Sequence, residues 1–280
     1  MKRILSLFFT LFICTTLLAS RTADSVRVEG WLTEAKALKQ RPESWTLWFA
    51  RKYIGTPYVG GTLDASSEEK LIVDTRHVDC TTLVEQVVAL ARCAQRGDTS
   101  FGSFCAQLRQ VRYIGGEVAY VKRQHYFTVW MDANEREGIV RNVYSPTIFT
   151  QRQQVRVNWM TTHTASYKML SAHPSWQRGI KDMEQSITGN TYPYIPKQEI
   201  ANNALFRSII HDGDIIAILT NKRGLDTTHI GLASWHNDGL HLLNASSIHK
   251  KVVDEPMLLS TYMQRHPSQI GIRVCRVVGE

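Results

Sequence analysis

The sequence has few cysteines, and they do not fall into a metal-binding pattern. Among its 280 residues there are five cysteines, no CxxC pair and no HExxH segment. Those spacings are the usual signs of structural zinc sites and of zinc hydrolases. His229, His236 and His241 lie close together in the chain but lack a carboxylate at a convincing ligand spacing. We therefore predict no metal ion and no other cofactor.

Dense runs of Lys or Arg are also missing, although the chain is basic. Lys and Arg number 33 against 25 Asp and Glu, which gives a formal net charge of +8. Such a balance suits an anionic partner, whether nucleic acid, a membrane surface or a wall polymer. No recognisable nucleic-acid motif accompanies the charge. We interpret it as a diffusely basic surface and predict neither a nucleic-acid partner nor a protein partner.

Only one long apolar run is present, and it lies at the start of the chain. Lys2 and Arg3 precede an apolar stretch over 4–18. This is the layout of a secretory signal, and the stretch is short for a membrane span. We expect residues 1–20 to be removed and the protein to be exported to the periplasm without stable membrane insertion. Several small residues leave the exact cleavage position open.

Internal repeats, low-complexity tracts and obvious linkers are absent as well. Hydrophobic residues make up 43% of the chain and aromatic residues 9%, which is the composition of a folded protein. Helical patterns dominate the front of the chain, and alternating apolar patterns dominate from about residue 212 onward. These observations predict a single domain over 21–280 of the α+β class.

The individual elements follow from hydrophobic periodicity and from turn residues. Helices are predicted over 31–53 with an interruption near Pro42, over 80–97, 101–111 and 256–265, and from about Ser175 onward. Strands are predicted over 71–73, 125–131, 155–159, 214–219, 229–234, 240–245, 250–253 and 270–278. Residues 191–196 are expected to form an extended, aromatic loop that lines a groove.

One cysteine has an unusual setting, at the start of a predicted amphipathic helix. Asp79 is a favoured N-cap residue, and Cys80 follows it directly. The partial positive charge of a helix N-terminus favours the thiolate form of such a cysteine. Cys80 is therefore a candidate nucleophile. Cys93, Cys105 and Cys275 are interpreted as small buried residues, and a bridge between Cys93 and Cys105 is left open.

Two polar residues on the predicted rear strands complete a catalytic set. His229 is a candidate general base for the thiol. Asn244 follows on the next strand, after the hairpin turn at 237–239, and is a candidate to orient the imidazole. Each residue alone has a plainer explanation, since a helical cysteine is usually core and an asparagine near a turn is usually turn chemistry. Their order and settings together predict a thiol hydrolase.

Several motifs in fixed order resemble those of the NlpC-type, papain-like cell-wall cysteine hydrolases. They are Gly55-Thr56-Pro57-Tyr58-Val59-Gly60-Gly61, Asp79-Cys80-Thr81-Thr82-Leu83-Val84, Gly213-Asp214-Ile215-Ile216, His229-Ile230-Gly231 and Asn244-Ala245-Ser246. The resemblance implies a nucleophile-bearing helix packed on an antiparallel sheet. It implies that Cys80 is the nucleophile, His229 the base and Asn244 the orienting residue. It also implies that Tyr58 lies beside the nucleophile and binds substrate or assists the oxyanion.

Two departures from the compact members of that family refine the prediction. The third catalytic residue is usually His, and here it is Asn244. An asparagine serves the same role in papain-like enzymes. The long interval between cysteine and histidine implies an inserted region at about 98–205. That longer form resembles the N-acetylmuramoyl-L-alanine amidase-like branch, which implies cleavage of the amide between muramic acid and L-alanine. A preference for anhydro-muramoyl ends stays open. His125 and Tyr126 in the insertion are predicted to bind substrate.

Three alternatives stay open at this point. The same nucleophile would serve an endopeptidase that cuts between D-Glu and a diamino acid of the stem peptide, because fold does not fix the bond that is cleaved. A zinc amidase would use some of the ten histidines. A noncatalytic wall-binding protein would account for export and basic charge. If the protein is an amidase or an endopeptidase, its partner is peptidoglycan or its muropeptide fragments.

Overall fold

The computed structural model describes residues 22–64 and 66–280, so the predicted signal segment at 1–20 lies outside the described residues. The helices are α1 (Ala23–Ala37), α2 (Trp45–Lys52), α3 (Cys80–Arg96), α4 (Phe101–Arg112), α5 (Phe127–Arg136), α6 (Trp159–Thr162), α7 (Lys168–Ala172), α8 (Gln177–Ile187), α9 (Ala204–Ile209) and α10 (Leu259–Gln264). The strands are β1 (Val140–Asn142), β2 (Gln151–Gln154), β3 (Thr191–Pro196), β4 (Ile215–Thr220), β5 (Thr227–Trp235), β6 (Leu240–Ser246), β7 (Lys251–Asp254) and β8 (Gln269–Val277).

These strands form one sheet, and each pairing between them is antiparallel. The order is β2-β3-β8-β4-β5-β6-β7, and β1 also pairs with β8. The last strand in chain order therefore lies in the interior of the sheet, where β1, β3 and β4 all pair with it. Helices combined with an antiparallel sheet confirm the predicted α+β class.

Both faces of the sheet are covered, which explains the continuous apolar runs in the rear strands. On β4, Ile215 and Ala217 belong to the core formed with α1–α4. The alternate residues Ile216 and Ile218 belong to a second core on the opposite face, together with Phe206 of α9 and side chains of α10. A strand buried on both faces loses the polar alternation of a half-exposed strand. The predicted strands over 214–219, 229–234, 240–245, 250–253 and 270–278 are confirmed.

The helix that carries Cys80 is closed at both ends by its own sequence. Asp79 is the N-cap: its carboxylate accepts from the Thr82 N–H at 2.8 Å, and the Thr82 hydroxyl accepts from the Asp79 N–H at 2.9 Å. This reciprocal pair is a capping box. Gly97 ends the helix with φ +74°, a left-handed conformation that glycine adopts without strain. α3 packs against β5 and β6, and its predicted extent is confirmed.

The inserted region is where several predicted elements are wrong. Residues 125–131 were expected to be a strand, but α5 begins at Phe127. This run is rich in β-formers, yet all of Phe127 to Met131 is buried, and a short run with every residue buried carries no period to separate strand from helix. At 155–159, β2 has already ended and α6 begins at Trp159. Before the insertion, the strand predicted over 71–73 is also wrong: these residues form no strand, although Leu71 and Val73 pack on the core.

Residues 191–196 are extended, as predicted, but they form strand β3 and not a free loop. Ile195 pairs with Ile272 of β8, and Tyr194 pairs with Gln151 of β2. The insertion therefore contributes β1, β2 and β3 to the common sheet. It also has a core of its own, which includes Tyr126, Met160 and Ile180.

Two further observations concern the cysteines and the helices. Cys80, Cys93, Cys105 and Cys275 are all free thiols, and Cys93 and Cys275 are buried. Within residues 22–64 and 66–280, no helix has the length and apolar character that a membrane crossing requires.

Candidate active site

Local pairing positions Cys80 beside Tyr58. The Val78 N–H donates to the Pro57 carbonyl at 3.1 Å, and the Val59 N–H donates to the Val78 carbonyl at 3.0 Å. Tyr58 and Val78 thus form a short parallel bridge two residues before Cys80. The glycine- and proline-rich segment identified in the sequence is therefore a support for the start of α3, and Tyr58 packs with Cys80 against the main core.

His229 and Asn244 are joined directly. His229 Nε2 lies 2.9 Å from Asn244 Oδ1. Asn244 is buried, and its Nδ2 donates to the Leu242 carbonyl at 3.1 Å. Because this second bond directs the amide nitrogen away from the ring, Oδ1 is the acceptor and His229 Nε2 carries the proton. The lone pair of a neutral His229 is then on Nδ1.

Cys80 and His229 line the same pocket, which we call the Cys80 pocket. It has a volume of about 210 Å³. Its lining residues are Cys80, Thr81, Gln124, His125, Tyr126, Phe127, Met160, Tyr167, Leu225, Asp226, Thr227, Thr228, His229 and Ile230. The backbone N–H of Ile230, the residue after His229, interacts with the Cys80 sulfur. The fold therefore brings together the three predicted catalytic residues from α3, β5 and β6.

The electrostatics of the pair differ from the expectation of a thiolate at a helix N-terminus. Burial raises the pKa of Cys80 to about 12, and the neighbouring Asp79 carboxylate adds to this. The N–H groups of Ile230 and Thr81 oppose the shift only in part. Burial also lowers the pKa of His229 below its usual 6.5. At neutral pH the resting pair is a neutral thiol and a neutral imidazole, because desolvation penalises both charged forms.

The predicted substrate-binding residues have three different surroundings. Burial raises the pKa of Tyr58 to about 12, with Cys80 and Asp79 adding to it, so its phenol stays protonated as a donor. His125 lines the pocket, and its Nε2 lies 2.8 Å from the Tyr120 carbonyl. Burial lowers the pKa of His125 to about 3, and the ring is neutral.

Tyr126 contributes its ring to the pocket, but its hydroxyl is already engaged. That hydroxyl donates to Glu184 Oε1 at 2.6 Å and accepts from the Met160 N–H at 3.0 Å. The side chain is 3% exposed. Substrate binding by Tyr126 stays a prediction, and the geometry allows it through the ring face alone.

Asp226 is a pocket residue that sequence reasoning did not identify. Its buried carboxylate accepts from the Thr128 N–H at 2.8 Å and from the Thr227 N–H at 2.7 Å. It therefore fastens the beginning of α5 to the beginning of β5, close to His229. Asp226 caps α5 from a distant part of the chain, so its role can be predicted only if α5 is recognised as a helix. The sequence instead predicts a strand there.

One cluster outside the pocket has metal-ligand composition: His236, Asp238 and His241, whose ligand atoms lie within 4.8 Å of one another. The two imidazole rings stack with centroids 4.0 Å apart and planes 14° apart. Lone pairs of imidazole lie in the ring plane, so two nearly parallel rings cannot both direct a nitrogen at one ion about 2.1 Å away. Instead, the rings hydrogen-bond to carboxylates: His241 Nε2 lies 3.0 Å from Asp238, and His236 Nε2 lies 3.1 Å from Asp254.

The chain is similar to known proteins in both fold and sequence. The α+β fold is shared with solved hydrolases, among them an N-acetylmuramoyl-L-alanine amidase from Bacteroides uniformis, which has 36% identity and a TM-score of 0.76 over 83% of this chain and 98% of that one. The family model described as AmiA-like, N-acetylmuramoyl-L-alanine amidase-like, matches residues 48–272. The chain belongs to this amidase-like family of peptidoglycan hydrolases.

Two other structures extend the comparison. One from Bacteroides fragilis carries the name xylanase and has 36% identity and a TM-score of 0.76, over 81% of this chain and 99% of that one. A protein of the DUF1460 family from Legionella pneumophila has 22% identity and a TM-score of 0.65, over 90% and 94% of the two chains, and shows the fold alone. Among curated proteins no sequence matches.

Proposed function

We propose that this protein is an NlpC-type, papain-like cysteine amidase that hydrolyses the amide between N-acetylmuramic acid and L-alanine in peptidoglycan or its fragments. The observation that carries the proposal is that Cys80 and His229 line one pocket and that Asn244 is hydrogen-bonded to His229, in a chain that belongs to an amidase-like family. A thiol, a base and an orienting group are the parts that covalent hydrolysis of an amide requires.

The proposed reaction begins with a neutral pair. His229 Nδ1 accepts the Cys80 thiol proton as the sulfur attacks the lactyl carbonyl, and the Asn244 bond to Nε2 holds the ring in that orientation. The resulting imidazolium gives the proton to the departing amine of L-alanine, which leaves a thioester on Cys80. Water, deprotonated by His229, then attacks the thioester, and the thiol is regenerated with release of the muramoyl carboxylate.

The start of α3 supplies the stabilisation that the tetrahedral intermediate needs. First-turn amides of a helix have no helical acceptor, so the Cys80 N–H is a suitable donor to the oxyanion. Tyr58 lies beside Cys80, and its raised pKa keeps a phenolic proton available. We assign Tyr58 to the oxyanion or to the adjoining part of the substrate.

The name xylanase on a similar structure does not suit this site. Glycoside hydrolases of the common kinds use two carboxylates on either side of the scissile bond. In the Cys80 pocket, Asp226 is the one carboxylate among the lining residues of the described chain. It accepts from two backbone amides, which is the environment of a structural carboxylate and not of a proton donor.

Two finer points also belong to the proposal. The basic residues Lys2 and Arg3 and the apolar stretch after them support export to the periplasm, where peptidoglycan is accessible. The family resemblance supports a preference for anhydro-muramoyl ends among soluble wall fragments. Comparing anhydro and reduced forms of one muropeptide as substrates would test that preference.

The experiment that tests the main proposal is mass spectrometry of the products from defined muropeptides. Wild-type protein is expected to release an intact stem peptide that begins with L-alanine, and Cys80→Ala is expected to release none. Cys105→Ser is the matched control, because Cys105 is a half-buried thiol on α4 outside the pocket, and it should keep wild-type turnover. Turnover should also persist in a chelator.

Three results would contradict the proposal in different ways. Release of muropeptides that end in L-Ala-D-Glu would keep the thiol mechanism and change the enzyme to an endopeptidase. Wild-type rates in Cys80→Ala would exclude the nucleophile. Absence of cleavage by the wild type, combined with binding to intact wall, would favour the noncatalytic wall-binding function.

A further inference from the structure

A second, larger pocket lies next to the Cys80 pocket, and we call it the cationic pocket. It has a volume of about 920 Å³, whereas the Cys80 pocket has about 210 Å³. Ligand-sized sites generally measure several hundred cubic ångströms. The Cys80 pocket therefore holds the reacting atoms but not the remainder of a muropeptide, and that remainder must lie on an adjoining surface.

Most of the charged side chains that line the cationic pocket are positive. Its charged residues are Arg156, Lys181, Lys222, Arg223 and the single carboxylate Glu184. All four cations are exposed, and none forms a salt bridge within the described part of the chain. Glu184 is buried, and its oxygens accept from Tyr126 and Thr161. A concave surface that is lined by positive charges focuses a positive potential on its interior.

The two pockets lie side by side and share a wall. Leu225 lines both pockets. Three hydrogen bonds cross the wall between residues of opposite pockets. Tyr126 donates to Glu184 at 2.6 Å, and the Asp226 carbonyl accepts from Gln153 Nε2 at 3.2 Å and from the Thr220 N–H at 3.3 Å. Met160 of the Cys80 pocket is also the neighbour in sequence of Thr161 in the cationic pocket. The two pockets therefore adjoin each other.

The turn that carries Lys222 and Arg223 is held in place by backbone hydrogen bonds. The Asn158 and Trp159 N–H groups both donate to the Gly224 carbonyl, at 3.2 and 3.1 Å. Gly224 has φ +84°, and a Cβ there would lie 2.6 Å from Asn158 Oδ1. Only glycine suits this position. The two cations are therefore displayed from a fixed turn, which reduces the ordering cost of binding.

We propose that the cationic pocket binds the carboxylate groups of the substrate's peptide, and so selects acidic stem peptides for cleavage at Cys80. This inference rests on the proposed function, because the stem peptide is the leaving group of the amidase reaction. A stem that contains D-Glu and a diamino acid carries several carboxylates within a few residues. Arg offers paired donors and Lys a point charge to such groups.

The test measures binding of free peptide separately from turnover. The probe is the tripeptide L-Ala-D-Glu-diamino acid, with the same peptide amidated at its carboxylates as the neutral comparison. Calorimetry with the wild-type protein should give about tenfold weaker binding of the amidated form, and binding of the acidic form should weaken as salt is raised. The Lys222→Glu/Arg223→Glu double variant should bind the acidic peptide about tenfold more weakly, because each attraction becomes a repulsion.

The controls separate recognition from folding and from chemistry. Lys39→Glu reverses a single charge at an exposed lysine between α1 and α2, outside both pockets, and should leave peptide affinity unchanged. In turnover of an acidic muropeptide, the double variant should raise KM severalfold with kcat within about twofold, and its Tm should match that of the wild type. A kcat close to that of the wild type shows that the double variant is folded.

Specific outcomes would overturn the inference. Equal affinity of the wild type for acidic and amidated peptide would do so, and so would unchanged affinity in the double variant. Tight binding of pyrophosphate in the absence of peptide binding would show a phosphate site instead. Because the free peptide needs no catalysis to bind, failure of the amidase proposal would appear as lost cleavage with peptide affinity intact.

Discussion

The Cys80 pocket and the cationic pocket adjoin each other but have opposite electrostatics. In the first, desolvation keeps both Cys80 and His229 neutral at neutral pH. In the second, four cationic side chains are exposed and have no salt-bridge partner among the described residues. The small pocket has the environment for proton transfer, and the large one has the environment for attracting anions.

This difference indicates how a single substrate is handled in two ways. Long-range attraction acts through exposed charges and depends on ionic strength. Bond cleavage needs a site where charge develops only during the reaction, and a desolvated neutral pair provides one. Substitutions in the Cys80 pocket should therefore change kcat, and substitutions in the cationic pocket should change KM.

The largest expected effect comes from removing the base. In His229→Ala the neutral thiol has no proton acceptor, so kcat should fall about 10³-fold or more, in line with general base catalysis. Affinity for the free acidic peptide should stay at the wild-type value. Steady-state kinetics and calorimetry measure the two quantities. His211→Ala, at an exposed histidine outside both pockets, is the control, and an equal loss of activity there would contradict the assignment.

A smaller loss is expected from removing the orienting amide. Asn244→Ala frees the His229 ring to rotate, and kcat should fall roughly 10- to 100-fold while KM is unchanged. The Leu242 carbonyl also loses its Asn244 donor, so the variant should be about 1 kcal/mol less stable. Denaturant unfolding measures that cost. Wild-type kcat in this variant would remove Asn244 from the catalytic set.

The pH dependence tests whether the resting pair is neutral. As pH falls through the pKa of His229, the imidazole becomes protonated and stops accepting the thiol proton. Burial lowers that pKa, with His266 lowering it further and Asn244 and Asp79 opposing. The acid limb of kcat/KM should therefore lie below pH 6.5. An acid limb above pH 7, or thiolate absorbance of Cys80 at pH 7, would indicate an ion pair in the resting enzyme.

The smallest kinetic effect is expected from removing the Tyr126–Glu184 hydrogen bond in the wall between the two pockets. Tyr126→Phe leaves Glu184 and the Met160 N–H without their hydroxyl partner, and should lower the free energy of unfolding by about 1–3 kcal/mol. Neither kcat nor KM should change by more than about twofold. Tyr144→Phe, at a tyrosine that is 57% exposed, provides the comparison. A raised KM at unchanged stability would instead support substrate binding by the Tyr126 hydroxyl.

The sequence predicted the elements that have strong local signals. Asp79 and Gly97 mark the ends of α3 by cap chemistry, and the rear strands are separated by recognisable turns. Cys80, His229 and Asn244 could be chosen because each lies at a defined position on such an element. Their proximity follows from the sheet order, because β5 and β6 are neighbours and α3 packs against both.

Local signals were insufficient in the insertion. All of residues 127–131 are buried, so their hydrophobicity has no periodicity that would separate a helix from a strand. The cationic pocket is assembled from distant segments, at 153–161, 181–189 and 220–225, together with Ile270. No single segment is strikingly basic in sequence, and the diffuse charge of +8 concealed the local concentration. Such a site becomes visible only when tertiary structure places Arg156 near Lys181 and Lys222.

The position of β8 in the sheet has a consequence for the timing of folding. Three other strands pair with it, and the pairing of Val140 with Val277 joins positions far apart in the chain. Contacts of that kind form slowly, because the entropy of closing a long loop must be overcome first. A growing chain therefore lacks the middle of its sheet until β8 has been synthesised. Under the export proposed above, such a delay would keep the chain competent for translocation.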